Sequence, residues 1–294
     1  MELKLSSRYR FMTKALPFLL LLPAFILICI FKLYPIIRTL KNGLFIDGVF
    51  SLKAYSMVFS DSVFWNSLKV TLKLNVVMIP LQIIISFCLA LLANTALKGI
   101  AIFRTIYYLP FTISLTVATL IWNLMLNYNS GVVNSLLSVF GIEAQGFFTD
   151  KSQALWAIVI VATWKGCGYW MMFLLAGLKN IDAAIYESAK IDGAGFFTTI
   201  FKITIPMMKK VLLFVFVANT TANMLLFAPM QLVTEGGPQG STNVLMYEAY
   251  KAAFKYADPT RSAVLISVLL FIIVIICVVQ FALLNEKEAE GHVR

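Results

Sequence analysis

Asn219 and Asn223 stand four residues apart in the middle of an apolar run that also holds Thr220 and Thr221. A second apolar run carries Lys165, Gly166 and Tyr169 near its centre. On a helix these spacings put Asn219 with Asn223, and Gly166 with Tyr169, on one face. Amides hydrogen-bond hydroxyl groups, and flat rings cover the apolar faces of a solute, so the pattern suits reversible binding of a polyhydroxylated molecule rather than bond making. The same residue types also tie helices together in a membrane, at about 0.6 kcal/mol per bond, and both uses stay open at this level. Lys165 reads as a paired or snorkelling cation. Trp122, Asn123, Asn127, Trp164 and Trp170 are secondary candidates for the same path, although tryptophan also marks membrane interfaces.

Little else in the chain is equipped for catalysis. The single histidine, His292, lies in a polar tail, and Cys29, Cys88, Cys167 and Cys277 sit in apolar runs without metal-ligand spacing, as buried free thiols do. None of the 14 acidic residues falls inside an apolar run, so paired carboxylates for hydrolysis or ion coupling are missing there. The phosphate-cradling pattern G-x-x-x-x-G-K-[ST] is absent as well.

The elements that position the polar residues are long apolar segments. With 60% apolar and 13% charged residues, and runs of eighteen or more mostly apolar positions, the chain reads as an all-α integral membrane protein. Six spans are expected, at 16–37, 70–95, 106–127, 154–177, 209–231 and 262–284, as helices because lipid offers open backbone groups no partner. The domain organisation is then a cytoplasmic N-terminal tail (1–15), one transmembrane domain (16–284) and a cytoplasmic C-terminal tail (285–294). The stretches between spans (38–69, 178–208 and 232–261) are too short to form a separate core.

Orientation follows from the basic residues. The side that carries both termini holds Lys4, Arg8, Arg10, Lys14, Lys98, Arg104, Lys179, Lys190, Lys202, Lys209, Lys210, Lys287 and Arg294, thirteen basic residues against seven opposite: Arg38, Lys41, Lys53, Lys151, Lys251, Lys255 and Arg261. The positive-inside bias therefore places both termini and the loop 179–208 in the cytoplasm. It also accounts for the net charge of +10, which is scattered through short loops and does not gather on a nucleic-acid-binding face. The first apolar run has no small-residue cleavage site after it and reads as a retained helix.

Within 179–208, Asp182 suits a helix N-cap, Ala183 to Ile191 favours helix, and Gly193 suits a left-handed C-cap. A second short helix is expected from Phe196 to Ile203, and Pro206 fits the first turn of the next span. Glu187-Ser188-Ala189-Lys190-Ile191-Asp192-Gly193-Ala194 and Thr204-Ile205-Pro206 together resemble the loop by which permease subunits of type I ABC importers grip their ATPase. Glu187, Gly193, Ile203 and Pro206 fall in that family's register, while Ser188 and Ile205 depart from its usual alanine and leucine. The Asp192-Gly193-Ala194 variant is similar to the carbohydrate-uptake, maltose-type branch.

That resemblance implies the type I importer permease fold with a cytoplasmic coupling helix, and a multi-pass location in a bacterial cell membrane. It assigns coupling to Glu187, Ser188, Ala189, Asp192, Gly193, Ala194 and Pro206, and substrate contact to Phe111, Gly166, Tyr169, Asn219 and Asn223; Leu226 replaces an asparagine of the family. The implied partners are a second homologous permease, an ATPase dimer that binds the ATP and magnesium, an extracytoplasmic sugar-binding protein, and lipid. The chain itself would hold no cofactor and no metal, and would be no enzyme. Thr234-Glu235-Gly236-Gly237-Pro238 resembles a loop of sugar-importer permeases, and Tyr55, Asp61, Phe64, Asn66 and Ser67 resemble the family's entry into its core helices. The expected cargo is an oligosaccharide or glycoside. A permease for a polyol, amino acid or peptide, and an ion-coupled transporter, are the alternatives.

Overall fold

The computed structural model describes residues 7–291 apart from 47 and 96. The ends of both expected tails, 1–6 and 292–294 with His292, lie outside the described residues. Helix α1 (Ser7–Ile28) runs through a π-helical turn at Cys29–Leu33 into α2 (Tyr34–Leu44). A two-stranded antiparallel ribbon follows, β1 (Phe45–Ile46) on β2 (Val49–Phe50), with Phe45 opposite Phe50. Then come α3 (Lys53–Phe59), α4 (Ser62–Ala93), α5 (Ile100–Thr112), α6 (Leu115–Met125), α7 (Val132–Val139), α8 (Ala154–Lys179), α9 (Ala183–Ile191), α10 (Phe196–Thr199), α11 (Ile205–Met207), α12 (Lys209–Met224), α13 (Leu245–Phe254) and α14 (Pro259–Gly291).

Four described helices are long and apolar enough to cross a membrane: Phe18–Leu44, Ser62–Ala93, Ala154–Lys179 and Pro259–Ala282. The other two expected spans, 106–127 and 209–231, are not continuous helices of that kind among the described residues. The third is broken between α5 and α6, which meet at 98°. Pro110 removes one backbone donor near the end of α5, and Ser114 starts α6 by accepting a hydrogen bond from the Val117 amide. In the fifth, α12 has 16 residues, about 24 Å at 1.5 Å per residue, and the chain continues into a π-helical stretch at Met230–Thr234. Hydropathy reports apolar runs and is blind to where the rod breaks.

Helix α8 forms the axis, buried along most of its length, and α4 is its main neighbour. Buried apolar residues fall into three groups. One joins Leu74 and Met78 to Ile158, Met230 and Tyr247; a second joins Phe64 to Leu245, Val264 and Leu269; the third joins Ala90 and Ala93 to Met171, Leu174, Leu178 and Met208. Because lipid tails are as apolar as these side chains, close fit rather than escape from water holds such helices together. Gly168 supplies that fit: a Cβ there would run into the Tyr107 carbonyl of α5. None of the most apolar stretch of Phe18–Leu44 is buried in the chain, and Phe18 is 76% exposed.

The buried face of α4 also carries a polar stripe that sequence analysis left unremarked. Ser67, Thr71, Asn75, Gln82 and Ser86 are all buried, at helical spacing. Ser67 Oγ accepts from Asn243 Nδ2 at 2.9 Å, Thr71 Oγ1 accepts from the Leu245 amide at 2.8 Å, and Ser86 Oγ donates to the Cys167 carbonyl at 2.9 Å. These bonds pin α4 to the start of α13 at one end and to α8 at the other.

Candidate functional site

Midway along the bundle, α4, α8 and α12 bring four of the chain's polar or small positions together. Asn223 Nδ2 donates to Asn219 Oδ1 at 2.7 Å and to Gln82 Oε1 at 2.9 Å. Gly166 adjoins them, since a Cβ there would stand 3.6 Å from Gln82 Nε2. Asn219 is fully buried, Asn223 is 8% exposed, and Asn219 Nδ2 has no hydrogen-bond partner. An orphaned amide donor at this depth carries a desolvation cost of about 1–3 kcal/mol, which a hydroxyl acceptor would relieve.

One helical step away along α8, Tyr169 stacks on Phe111, with ring centroids 4.2 Å apart and planes 17° apart. Lys165 Nζ donates to the Phe111 carbonyl at 3.0 Å and lies 5.0 Å from the Phe111 ring centroid. Phe111 is 37% exposed and Tyr169 half-buried. Among the secondary candidates, Trp122 and Trp164 meet edge to face at 5.6 Å, and Trp170 packs edge-on against Tyr169. Asn127 serves a turn instead, its Oδ1 accepting from the amides of Asn129 and Ser130.

The five expected contact residues therefore fall into an amide cluster between α8 and α12 (Gly166, Asn219, Asn223) and an adjacent aromatic pair between α5 and α8 (Phe111, Tyr169). Gln82 is the addition. It sits in an otherwise apolar run, Ile79-Pro80-Leu81-Gln82-Ile83-Ile84, and a buried polar group in such a run was the available signal. Thr220 ties α12 to α14, its Oγ1 accepting from Gln280 Nε2 at 2.8 Å, while Thr221 donates to the Val217 carbonyl of its own helix. Leu226 packs with the group around Met230.

The loop between α8 and α12 is ordered by its own backbone. Asp182 Oδ1 accepts from the Ala184 amide at 3.0 Å and caps α9. At the other end the Ala194 amide reaches the Ala189 carbonyl and the Gly193 amide reaches the Lys190 carbonyl, around Gly193 at φ +75°. This pair of bonds is a Schellman cap, and it needs a left-handed residue at the position of Gly193. Past it, α10 passes through a π-helical turn (Ile200–Thr204) into α11, where Pro206 occupies the first turn, and Tyr186 Oη meets Thr204 Oγ1 at 3.2 Å. Glu187, Ser188 and Asp192 are exposed, while Ala189 is buried. Ala184, Ile185, Ser188, Ala189, Asp192 and Ile203 line an open groove of about 360 Å³, and Ile191 (86% exposed) and Phe197 stand clear of the chain beside it.

At the opposite end of α4, Glu248 is 1% exposed. It pairs with Lys251 at 2.7 Å and with Arg261 at 3.3 Å and accepts from Asn243 Nδ2, while Arg261 also pairs with Asp61, the N-cap of α4. Burial, the largest single influence, works against the Glu248 charge, but Lys251, Asn243 and Arg261 together hold its carboxyl below the usual range. Asp61 is likewise held low, burial being outweighed by Arg261 and the Val63 amide. The loop Thr234–Asn243 is fastened to this cluster through Asn243 and to α4 through Asn66, which donates to the Gly240 carbonyl, while the Thr234–Thr242 hydroxyl pair closes the loop on itself.

Helices of this length, a capped loop between two core helices and a polar cluster beside them define a multi-pass membrane transport subunit, and residues 4–288 match the family of binding-protein-dependent transport system inner membrane components. The chain belongs to that family. It is 35% identical to the lactose transport system permease protein LacF of Rhizobium radiobacter, over 90% of this chain and 93% of the relative. It is 31% identical to the trehalose/maltose transport system permease protein MalF of Thermococcus litoralis (85% and 87% covered). To the sn-glycerol-3-phosphate transport system permease protein UgpA of Shigella flexneri it is 29% identical (96% and 98%). Its fold is that of a chain in a bacterial ABC transporter for alginate, with TM-score 0.82, 22% identity and 96% and 99% coverage. The type I permease architecture expected from the loop register is thereby the observed one.

Proposed function

We propose that this chain is one permease subunit of an ATP-driven importer for an oligosaccharide or glycoside, and that it forms the translocation path with a second, homologous permease. The observation that carries the proposal is the placement of Gly166 and Tyr169 on α8 and of Asn219 and Asn223 on α12, the two helices joined by the capped loop. Force applied at α9 reaches both helices directly. In this reading Glu187, Ser188, Ala189, Asp192, Gly193, Ala194 and Pro206 seat α9 in an ATPase subunit, which supplies ATP and magnesium chemistry from outside the chain. Phe111, Gly166, Tyr169, Asn219 and Asn223 contact the solute once the helices separate. A binding protein delivers the solute at the face carrying Gly236–Asn243, which lies outside the cell membrane, with both termini and α9 in the cytoplasm. The names of the lactose and trehalose/maltose relatives support the cargo class.

The name of the glycerol-phosphate relative favours a second reading, a smaller polyol phosphate. Uptake by vesicles holding the complete importer separates the two. Labelled lactose or maltose entering with ATP, and competed by the unlabelled sugar, is the expected result; entry of sn-glycerol 3-phosphate alone would replace the cargo class. Uptake driven by an ion gradient without ATP would overturn the proposal.

A further inference from the structure

A helix that ends among apolar neighbours leaves its last carbonyls without donors, and the break between α5 and α6 creates such an end. The Thr112 hydroxyl turns back to the Leu109 carbonyl at 2.7 Å, and the Phe111 carbonyl accepts from Lys165 Nζ at 3.0 Å. A cation at a helix C-terminus is favoured by the helix dipole as well as by the bond itself. No carboxylate pairs with Lys165 among the described residues. The same ammonium faces the Phe111 ring, the ring that stacks on Tyr169. One turn further along α8, Gly168 lets the α5 backbone come up against the helix.

Resting on the transport role proposed above, we infer that Lys165 is a positioning residue: it caps the broken third span across the helix interface and so sets the Phe111 ring against Tyr169, fixing the aromatic platform of the solute path. It touches the solute only through Phe111. Arginine, which keeps charge and reach, substitutes for it; methionine does not.

The test uses the complete importer in proteoliposomes with Lys165→Arg, Lys165→Gln and Lys165→Met, and two measurements. Hydrogen exchange over residues 111–118 reports the cap whatever the cargo. Half-saturation for labelled lactose, maltose and sn-glycerol 3-phosphate reports the platform. Expected are at least tenfold faster exchange and at least tenfold weaker half-saturation in Lys165→Met, with Lys165→Arg within threefold of wild type. Phe111→Leu should add nothing further to Lys165→Met, because both act on one platform.

Wild-type exchange in Lys165→Met, or additive effects of the two substitutions, would overturn the inference. If Lys165→Met fails to assemble, Lys165→Gln is judged by the same two measurements, since it retains a donor but no charge and should fall between arginine and methionine. If wild-type vesicles take up none of the three solutes, the cargo assignment fails while the exchange measurement still decides the cap.

Discussion

Two glycine-bearing polar loops lie toward opposite ends of α4, and they treat their polar groups differently. Beside the loop holding Gly236, Gly240 and Asn243, the charges of Glu248, Lys251, Arg261 and Asp61 satisfy one another, and Asn243 joins the loop to them. The loop holding Glu187 and Gly193 satisfies its backbone and the Tyr186–Thr204 hydroxyl pair, and leaves Glu187, Asp192, Ile191 and Phe197 facing out around an open groove. A loop that completes itself holds a structure in place. A loop that leaves an apolar, polar-rimmed face open fits the docking on an ATPase proposed above.

The comparison is broken first at Gly193. Aspartate there would have to adopt φ +75° and would place a second acid beside Asp192, so Gly193→Asp should abolish solute-stimulated ATP hydrolysis in the assembled importer while the chain still inserts. Glu187→Lys, on an exposed position, should do the same without touching the cap. Full coupling in both variants, measured as ATPase stimulation in vesicles, would make the two loops alike.

Glu248→Gln should act in the opposite way. Removing one partner of a buried charge cluster costs about 3 kcal/mol, read as a lower melting temperature in detergent, while coupling in the surviving protein is retained. The pH dependence has the sign set by two depressed acids. Their stabilisation is fully present above the ordinary values of 4.5 for Glu248 and 3.8 for Asp61, and it is lost as pH falls through the lower folded values. Thermal melts should therefore weaken below about pH 4 in the wild type and less so in Glu248→Gln. A wild-type melting temperature indifferent to acid would remove the cluster's stabilising role.

The smallest effect belongs to the amide cluster between the loops. Asn223→Ala frees Gln82, and Gln82→Leu removes the acceptor from Asn223; each should weaken half-saturation for the transported solute about tenfold, equivalent to about 1.4 kcal/mol, with the ATPase still assembled. Unchanged uptake kinetics in both would reduce the cluster to interhelical glue.

Much of this was legible before any coordinates. Gly193 and Asp182 announced both ends of α9, because capping chemistry is local and needs only neighbours in sequence. What stayed hidden depends on partners far apart in the chain: the pairing of Asp61 with Arg261, the bond from Gln82 to Asn223, and the approach of Tyr107 to Gly168. The break at 113–114 was hidden for another reason, since Ile113 is itself apolar and Ser114 alone lowers the apolar count too little to interrupt a span.

The central claim is that work enters this chain from a separate ATPase through α9. Its most direct test is accumulation of labelled lactose and maltose against a gradient by vesicles containing either the chain alone or the complete importer, with and without ATP inside. The account predicts accumulation only for the complete importer with ATP, and none when Gly193 is replaced by Asp. Accumulation by the chain alone, or by the complete importer without ATP, would contradict it.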